Sequence, residues 1–383
     1  MTNYIDRLVA ELCPDGVEYR PIEELFTTRN GYTPSKSNSS YWENGTVPWF
    51  RMEDIRENGG ILSESLQSVH ESALKKGGMF PAGSIIVATS ATIGEHALIN
   101  VDFLCNQRFT VLILKDEFKN LLSPKFIYYY SFILDRWCLS NTTQSSFASV
   151  DMKRFKKFEF PVPPLEIQEA IVEILDKFTN LEAELEAELE ARTLQYEYYR
   201  DSLFEALDCP RVPLDSFAKI KNGKTYKDFG AGNIPVYGSG GIMTYVDRFS
   251  YNKPTVLIPR KGSLGNLFYL EEPFWNVDTI FYTEIDEEQV IPKFLYYFLK
   301  TAHLEDLNTA GGVPSLTQKV LNKVLIPVPS LEEQQRIVDI LDRFDALTSS
   351  LSEGLPAELA ARRSQYEYYR DQLLTFPRKG ENQ

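Results

Sequence analysis

Histidine and cysteine are scarce in this chain, three and four among 383 residues. Cys13, Cys105, Cys138 and Cys209 make no CxxC pair and have no histidine at ligand spacing, which argues against a zinc site. Reduced and mostly buried thiols are the expectation, as in a cytoplasmic protein. No apolar run reaches the ~18 residues of a membrane span, and "MTNYIDRLVAELCPDG" lacks the regions of a signal peptide. A soluble, cytoplasmic chain with no membrane partner is expected.

Catalytic signatures are missing as well. There is no GxxxxGK[ST] phosphate loop and no GxSxG elbow. "YGSGGIM" fails GxGxxG at Met243 and is expected to be a turn. The [DNS]PP[YFW] tetrapeptide of an adenine or cytosine amino-methyltransferase is absent. Isolated histidines such as His70, His96 and His303 are more often surface or core residues than catalytic bases. The expectation is no catalytic residue and no metal: a chain that catalyses nothing on its own.

What the chain does contain is a repeat. "QYEYYRD" stands at 195–201 and again at 365–371. Around it, "FPVPPLEIQEAIVEILDKFTNLEAEL" (160–185) matches "IPVPSLEEQQRIVDILDRFDALTSSL" (326–351). Both copies read as long helices. Apolar residues at Ile171, Ile174, Phe178, Leu181 and Leu185, and at Ile337, Ile340, Phe344, Leu347 and Leu351, alternate by three and four like a coiled-coil seam. Gly354 and Pro356 should break the second helix. Packing the two helices antiparallel is the simplest way to cover both seams.

The blocks before each helix repeat more weakly. "RNGYTP" parallels "KNGKTY", "VPWFRMED" parallels "IPVYGSGG", and "SPKFIYYY" parallels "IPKFLYYF". Short β-branched and aromatic runs between Gly, Asn and Ser turns predict strands, with one helix in each block. "YIDRLVAELCP" at the N-terminus resembles "YRDSLFEALDCP" after the first helix, so the repeat has a cyclic order. The expected fold is α+β: two similar globular domains separated by two long antiparallel coiled-coil helices, with internal two-fold pseudosymmetry. The predicted segments are an N-terminal helix (1–14), a first domain (15–160), a central helix (161–207), a second domain (208–326), a distal helix broken near 354–356 (327–376) and a tail (377–383).

A net charge of −14 argues against a nucleic-acid partner until its distribution is considered. Residues 161–207 hold 12 acidic and 3 basic side chains, and 326–383 hold 10 and 7, so the globular blocks are close to neutral.

Two variable-looking blocks, each followed by "PVPxLExQ…IVxILDxF…YxYYRDxL", resemble the specificity (S) subunit of type I restriction–modification systems. The resemblance covers essentially the whole chain. Pro161–Leu203 and Pro327–Leu374 look like that family's central and distal spacer regions, and "LEAELEAELEAR" looks like the tetrapeptide repeat of its type IC branch. The resemblance implies a non-catalytic subunit that reads double-stranded DNA through two target recognition domains, with an unread spacer between the half-sites. It implies two methyltransferase (M) subunits binding S-adenosylmethionine and two restriction (R) subunits using ATP and Mg. The N-terminal helix would complete the distal spacer region. The competing expectation is a structural coiled-coil adaptor presenting two protein-binding domains.

Candidate DNA contacts come from loops recurring in both blocks. They are Arg29, Asn30 and Tyr32; Arg51 and Asp54; Ser90 and Thr92; Asn106, Gln107 and Arg108; and Lys153 and Arg154 in the first block. The second offers Lys221, Lys224 and Lys227; Tyr237 and Ser239; Arg260, Lys261, Ser263 and Asn266; and Asn276 and Asp278. Arg suits guanine edges, Asn and Gln adenine, Asp cytosine, and Lys phosphate. Plain turns and salt bridges are the alternatives, and for Lys153 and Arg154 a capped helix before the "PVP" turn. Docking of M subunits is expected on the helices, at Ile171, Phe178, Leu185, Tyr198, Tyr199, Ile337, Phe344, Tyr368 and Tyr369.

Overall fold

The computed structural model describes residues 2–143, 148–308, 313–349 and 354–380. It divides into two compact units, Met1–Ala183 with Ala361–Gln383, and Glu184–Ala360.

The strands of the first unit are short runs of β-branched and aromatic residues, as the sequence predicts. Its five-stranded sheet has the order Phe26–Asn30, Phe109–Leu114, Ser84–Ala88, His96–Ile99, Ile61–Leu62. Neighbours are antiparallel except the last pair. Ser84–Ala88 is buried on both faces. Ile85 and Val87 face a core built with the helix Pro124–Ser140, while Ile86 and Ala88 face a second core around Phe50, Phe80 and Phe103. A three-stranded sheet places Val47–Phe50 between Ser68–Val69 and Leu104–Cys105.

The second unit repeats this plan. Ala218–Asn222, Ile280–Ile285, Thr255–Pro259 and Phe268–Leu270 form a four-stranded antiparallel sheet. Ile234–Gly238 lies between Gly241–Val246 and Trp275–Asn276. The helix Pro292–Thr301 covers the larger core.

Residues shared by the repeated motifs make the same contacts in each unit. The glutamine shared by both copies of "PVPxLExQ" is fully buried in each. Gln168 donates from Nε2 to the carbonyls of Leu121 and Pro163 and accepts from the Ser123 N–H at 2.9 Å. Gln334 does the same for Gln289, Pro329 and Ile291. Each amide closes the chain entering the domain helix onto the chain entering the long helix. Tyr129 and Lys125 bond to Asp176, as Tyr297 and Lys293 bond to Asp342. Burial, then the hydrogen bond to the aspartate, pushes both phenols well above the usual tyrosine range.

The predicted central helix is continuous from Leu165 to Glu205 and enters both units. The distal segment forms two helices, Leu331–Ser349 and Leu355–Leu373, on either side of the predicted break. Seam positions Leu347 and Leu351 lie outside the described side chains. The duplicated heptapeptide has a structural explanation. In the first unit Phe178 stacks on Tyr369 at 5.8 Å and touches Tyr366, and Glu182 pairs with Arg363, so the helices run antiparallel. In the second unit Phe344 stacks on Tyr199 at 5.9 Å and touches Tyr196. Each copy of "QYEYYRD" therefore packs on the phenylalanine of the other copy.

The docking set needs correction. Ile171 and Ile337 are fully buried in the domain cores and offer nothing to a partner subunit. Phe178 and Phe344 are half-buried against the tyrosines just named. The apolar stripe has two neighbours, the other helix and its own domain, which spacing alone does not separate. Leu185 is half-buried and Tyr369 shares the stack on Phe178. Tyr198 and Tyr368 remain 70% and 62% exposed, with Tyr199 at 45%.

The predicted cyclic order is visible within the first unit. Ile5 and Val9 of the helix Thr2–Leu12 share a core with Leu373, Leu374 and Phe376, and Val17 bridges to Arg378. All four cysteines are free thiols. Burial pushes Cys138 up to about 12 and Cys105 higher still. A disulfide-exchange reagent at neutral pH is therefore expected to titrate no more than Cys13 and Cys209 in the native protein, and all four in denaturant. Native reaction at Cys105 or Cys138 would contradict the burial described.

Candidate nucleic-acid interface

In both units the loops singled out from the sequence leave the same ends of adjacent strands, and backbone bonds tie them together. In the first unit Tyr32 N–H donates to Cys105, Asn106 N–H to Phe50 and Thr89 N–H to Arg108. At matching positions of the second, Lys224 N–H donates to Asn276, Val277 N–H to Tyr237 and Arg260 N–H to Thr279. A tryptophan indole caps the same carbonyl in each, Trp49 on Tyr32 and Trp275 on Lys224. The glycine of "RNGYTP" and "KNGKTY" is required for this closure. A Cβ at Gly31 would meet Asn106 O at 2.1 Å, and one at Gly223 would meet Val277 O at 2.0 Å.

The first unit thus gathers Asn30, Tyr32, Arg51, Ser90, Asn106, Gln107 and Arg108 around the ends of four strands. Part of this group lines an open cleft of about 610 Å³ with Lys36, Trp42 and Trp49. The two indoles meet edge to face at 5.0 Å, and the Arg51 guanidinium lies over Trp49 at 5.6 Å. Arg51 Nε is buried without a hydrogen-bond partner, 3.9 Å from Glu53. Gln107 Oε1 accepts from the Thr33 hydroxyl. Lys36, Arg51 and Arg108, the amides of Asn106 and Gln107 and the half-exposed Trp42 offer groups suited to base edges and phosphates, beside the carboxylates of Glu43 and Glu53 that also line the cleft. Trp42, Trp49, Lys36 and Thr33 were not among the sequence candidates. Only the fold brings them to the cleft.

Several candidates have other employment. Asp54 is fully buried, with Oδ2 accepting from Arg51 N–H and Oδ1 from Leu66 N–H, so it caps the helix Met52–Asn58 instead of facing a base. Asn276 is fully buried between Ile280 and Ser250. Tyr32 donates its hydroxyl to Ala73 O, and burial raises it. Arg29 stacks on Phe80 at 4.6 Å, and Lys221 pairs with Glu284 across the strands at 3.3 Å. Thr92 sits in the tight turn after Ser90, its N–H donating to Ser90 O. Asp151 caps the short helix that exposes Lys153 and Arg154, and the preceding strand bridges Ser90.

In the second unit Lys224, Ser239, Arg260, Lys261, Asn266 and Asp278 converge. Asn266 Nδ2 donates to Ser239 O at 3.2 Å, Ser239 N–H to Thr279 Oγ1, and Arg260 to Asp278 O. Ser263 follows Lys261 in the same loop. Tyr237 is half-buried, its ring packed on Phe268, and Lys227 lies exposed beyond Lys224.

Residues 14–191 and 208–361 match the type I restriction modification DNA specificity domain. The specificity subunit of the type I restriction enzyme EcoprrI of Escherichia coli is 41% identical over 379 residues, covering 92% of each chain. A second Escherichia coli type I specificity subunit is 35% identical over 306 residues, 69% of this chain and 73% of that one. The type I restriction–modification S subunit of M. genitalium shares the fold with a TM-score of 0.53 at 20% identity, over 94% of this chain and 96% of its own. A chain of a type I restriction–modification system solved for its complex assembly gives 0.67 at 17%, over 94% and 97%. Two matched domains and a relative this similar along nearly its full length lead to one conclusion: the chain belongs to the type I restriction–modification DNA specificity family.

Proposed function

We propose that this protein is the sequence-specific DNA recognition subunit of a type I restriction–modification complex and has no catalytic role of its own. Each unit reads one half of a bipartite target through its strand-end cluster, and the bases between the halves are unread. Two methyltransferase subunits dock on the helices, where Tyr198 and Tyr368 stand exposed at equivalent positions. They bring S-adenosylmethionine, and two restriction subunits bring ATP and Mg. The work takes place in the cytoplasm. The observation that carries this reading is the duplication of one strand-end cluster in two units, each joined to a copy of the same helix. Family membership supports it over the adaptor.

The test is co-expression with the cognate methyltransferase subunits, followed by mapping of methylated adenines. A split motif is expected, and a continuous one would defeat the two-reader scheme. Arg51→Ala and Arg108→Ala together should lower affinity by about tenfold or more and relax sequence preference in one half only, as expected for lost arginine–guanine pairs. Equal loss in both halves would indicate misfolding.

A further inference from the structure

The two units diverge after the matched residues Phe50 and Tyr237. After Phe50 the first unit continues into the helix Met52–Asn58. After the matching Tyr237 the second turns back through Ser239 and Gly240 into a two-stranded ribbon, Ile234–Gly238 with Gly241–Val246. Val236 pairs with Thr244 and Tyr237 with Ile242, so Met243 is an extra, bulged residue. Bulges re-aim side chains at functional edges. Met243 is 58% exposed and Ile242 50%, on a strand at the edge of its sheet. Exposed apolar residues on an open edge invite aggregation unless something covers them.

The position of the ribbon tip indicates what covers it. Ser239 is held by Thr279 and by Asn266, inside the polar cluster that contains Arg260 and Lys261. Apolar side chains here are flanked by cations suited to phosphate. A two-stranded ribbon, like a helix, fits the DNA major groove, where the only apolar feature of a base edge is the 5-methyl group of thymine. We propose that this ribbon enters the major groove and that Ile242 and Met243 read a thymine through its methyl. This rests on the DNA-recognition reading above and names the base class that its second unit takes.

The test uses the full chain assembled with its methyltransferase subunits, and duplexes carrying the mapped target. Each thymine of both half-sites is replaced singly by deoxyuridine, which removes the methyl and leaves every hydrogen-bonding group. Binding is measured by fluorescence anisotropy. One replacement, in one half-site, should weaken binding about four- to tenfold, the scale of one buried methyl. Ile242→Ala with Met243→Ala should weaken binding to the thymine duplex by a similar factor and abolish the thymine–uracil difference. Both side chains are exposed, so the melting temperature should not move. Specific binding that ignores every uracil replacement overturns the thymine contact while DNA recognition stands. A double variant that keeps the discrimination overturns the assignment to these residues. A variant that fails to assemble with the methyltransferase subunits would make the ribbon a protein interface instead. Absence of any sequence-specific binding by the unaltered complex would overturn both readings.

Discussion

Inserting one Glu-Ala-Glu-Leu quartet after Leu189 is expected to move methylation to targets whose unread spacer differs by one or two base pairs, and to nearly abolish it at the original target. The helix runs unbroken from Leu165 to Glu205, and the quartets "LEAELEAELEAR" lie in its middle. Four more residues lengthen an α-helix by about 6 Å and turn its far end by about 40°. A step of one base pair is about 3.4 Å along DNA. On the two-reader function proposed above, the insertion alters half-site geometry by an amount that DNA matches by changing the spacer. At the old target one half must be released, so an affinity loss of about 100-fold or more is expected from the lost base contacts. Methylome sequencing of cells carrying either form with the cognate methyltransferase subunits checks this. Identical spacers, with an unchanged melting temperature, would refute a length-setting helix.

The second large effect concerns stability. Gln168→Ala removes one acceptor and one two-armed donor from a site with no exposure, leaving Ser123 N–H, Leu121 O and Pro163 O without that partner. Unsatisfied buried backbone groups cost about 1–3 kcal/mol each, so a total near 3 kcal/mol or above is expected. For a unit of this size that lowers the melting transition by about 6–12 °C. Gln168→Glu fits the same space but turns acceptor oxygens toward two carbonyls. It should be as damaging at neutral pH and partly recover in acid, where the introduced carboxyl can donate. Gln334→Ala should produce the matching loss in the second unit. Calorimetry distinguishes these outcomes, and a Gln168→Ala protein melting within 2 °C of the parent, below that predicted range, would show that the amide contributes little.

Much of the architecture was legible from residues adjacent in the chain. The repeated "PVPxLExQ", the three-four spacing and the Gly354–Pro356 interruption are local signals, because helix periodicity and backbone breaking act over a few residues. Neighbouring strands and turns were legible for the same reason, including the turn at "YGSGGIM". The candidate interface was legible only in outline. Loops repeated in both blocks do meet at the strand ends, but chemistry alone could not separate Arg51, which lines a cleft, from Asp54, which caps a helix three residues on.

By itself the sequence determined that this protein is a duplication: two α+β blocks, two acidic helices and a cyclic order. Only the tertiary structure decided which side chains the fold consumes. Ile171 and Ile337 went into domain cores, and Asp54 and Asn276 into buried hydrogen bonds. The physical reason is that a polar or apolar side chain has the same local preference whether its partner is its own backbone 45 residues away, as for Gln168, or another molecule. Which partner it meets is set by distances that chain spacing does not contain.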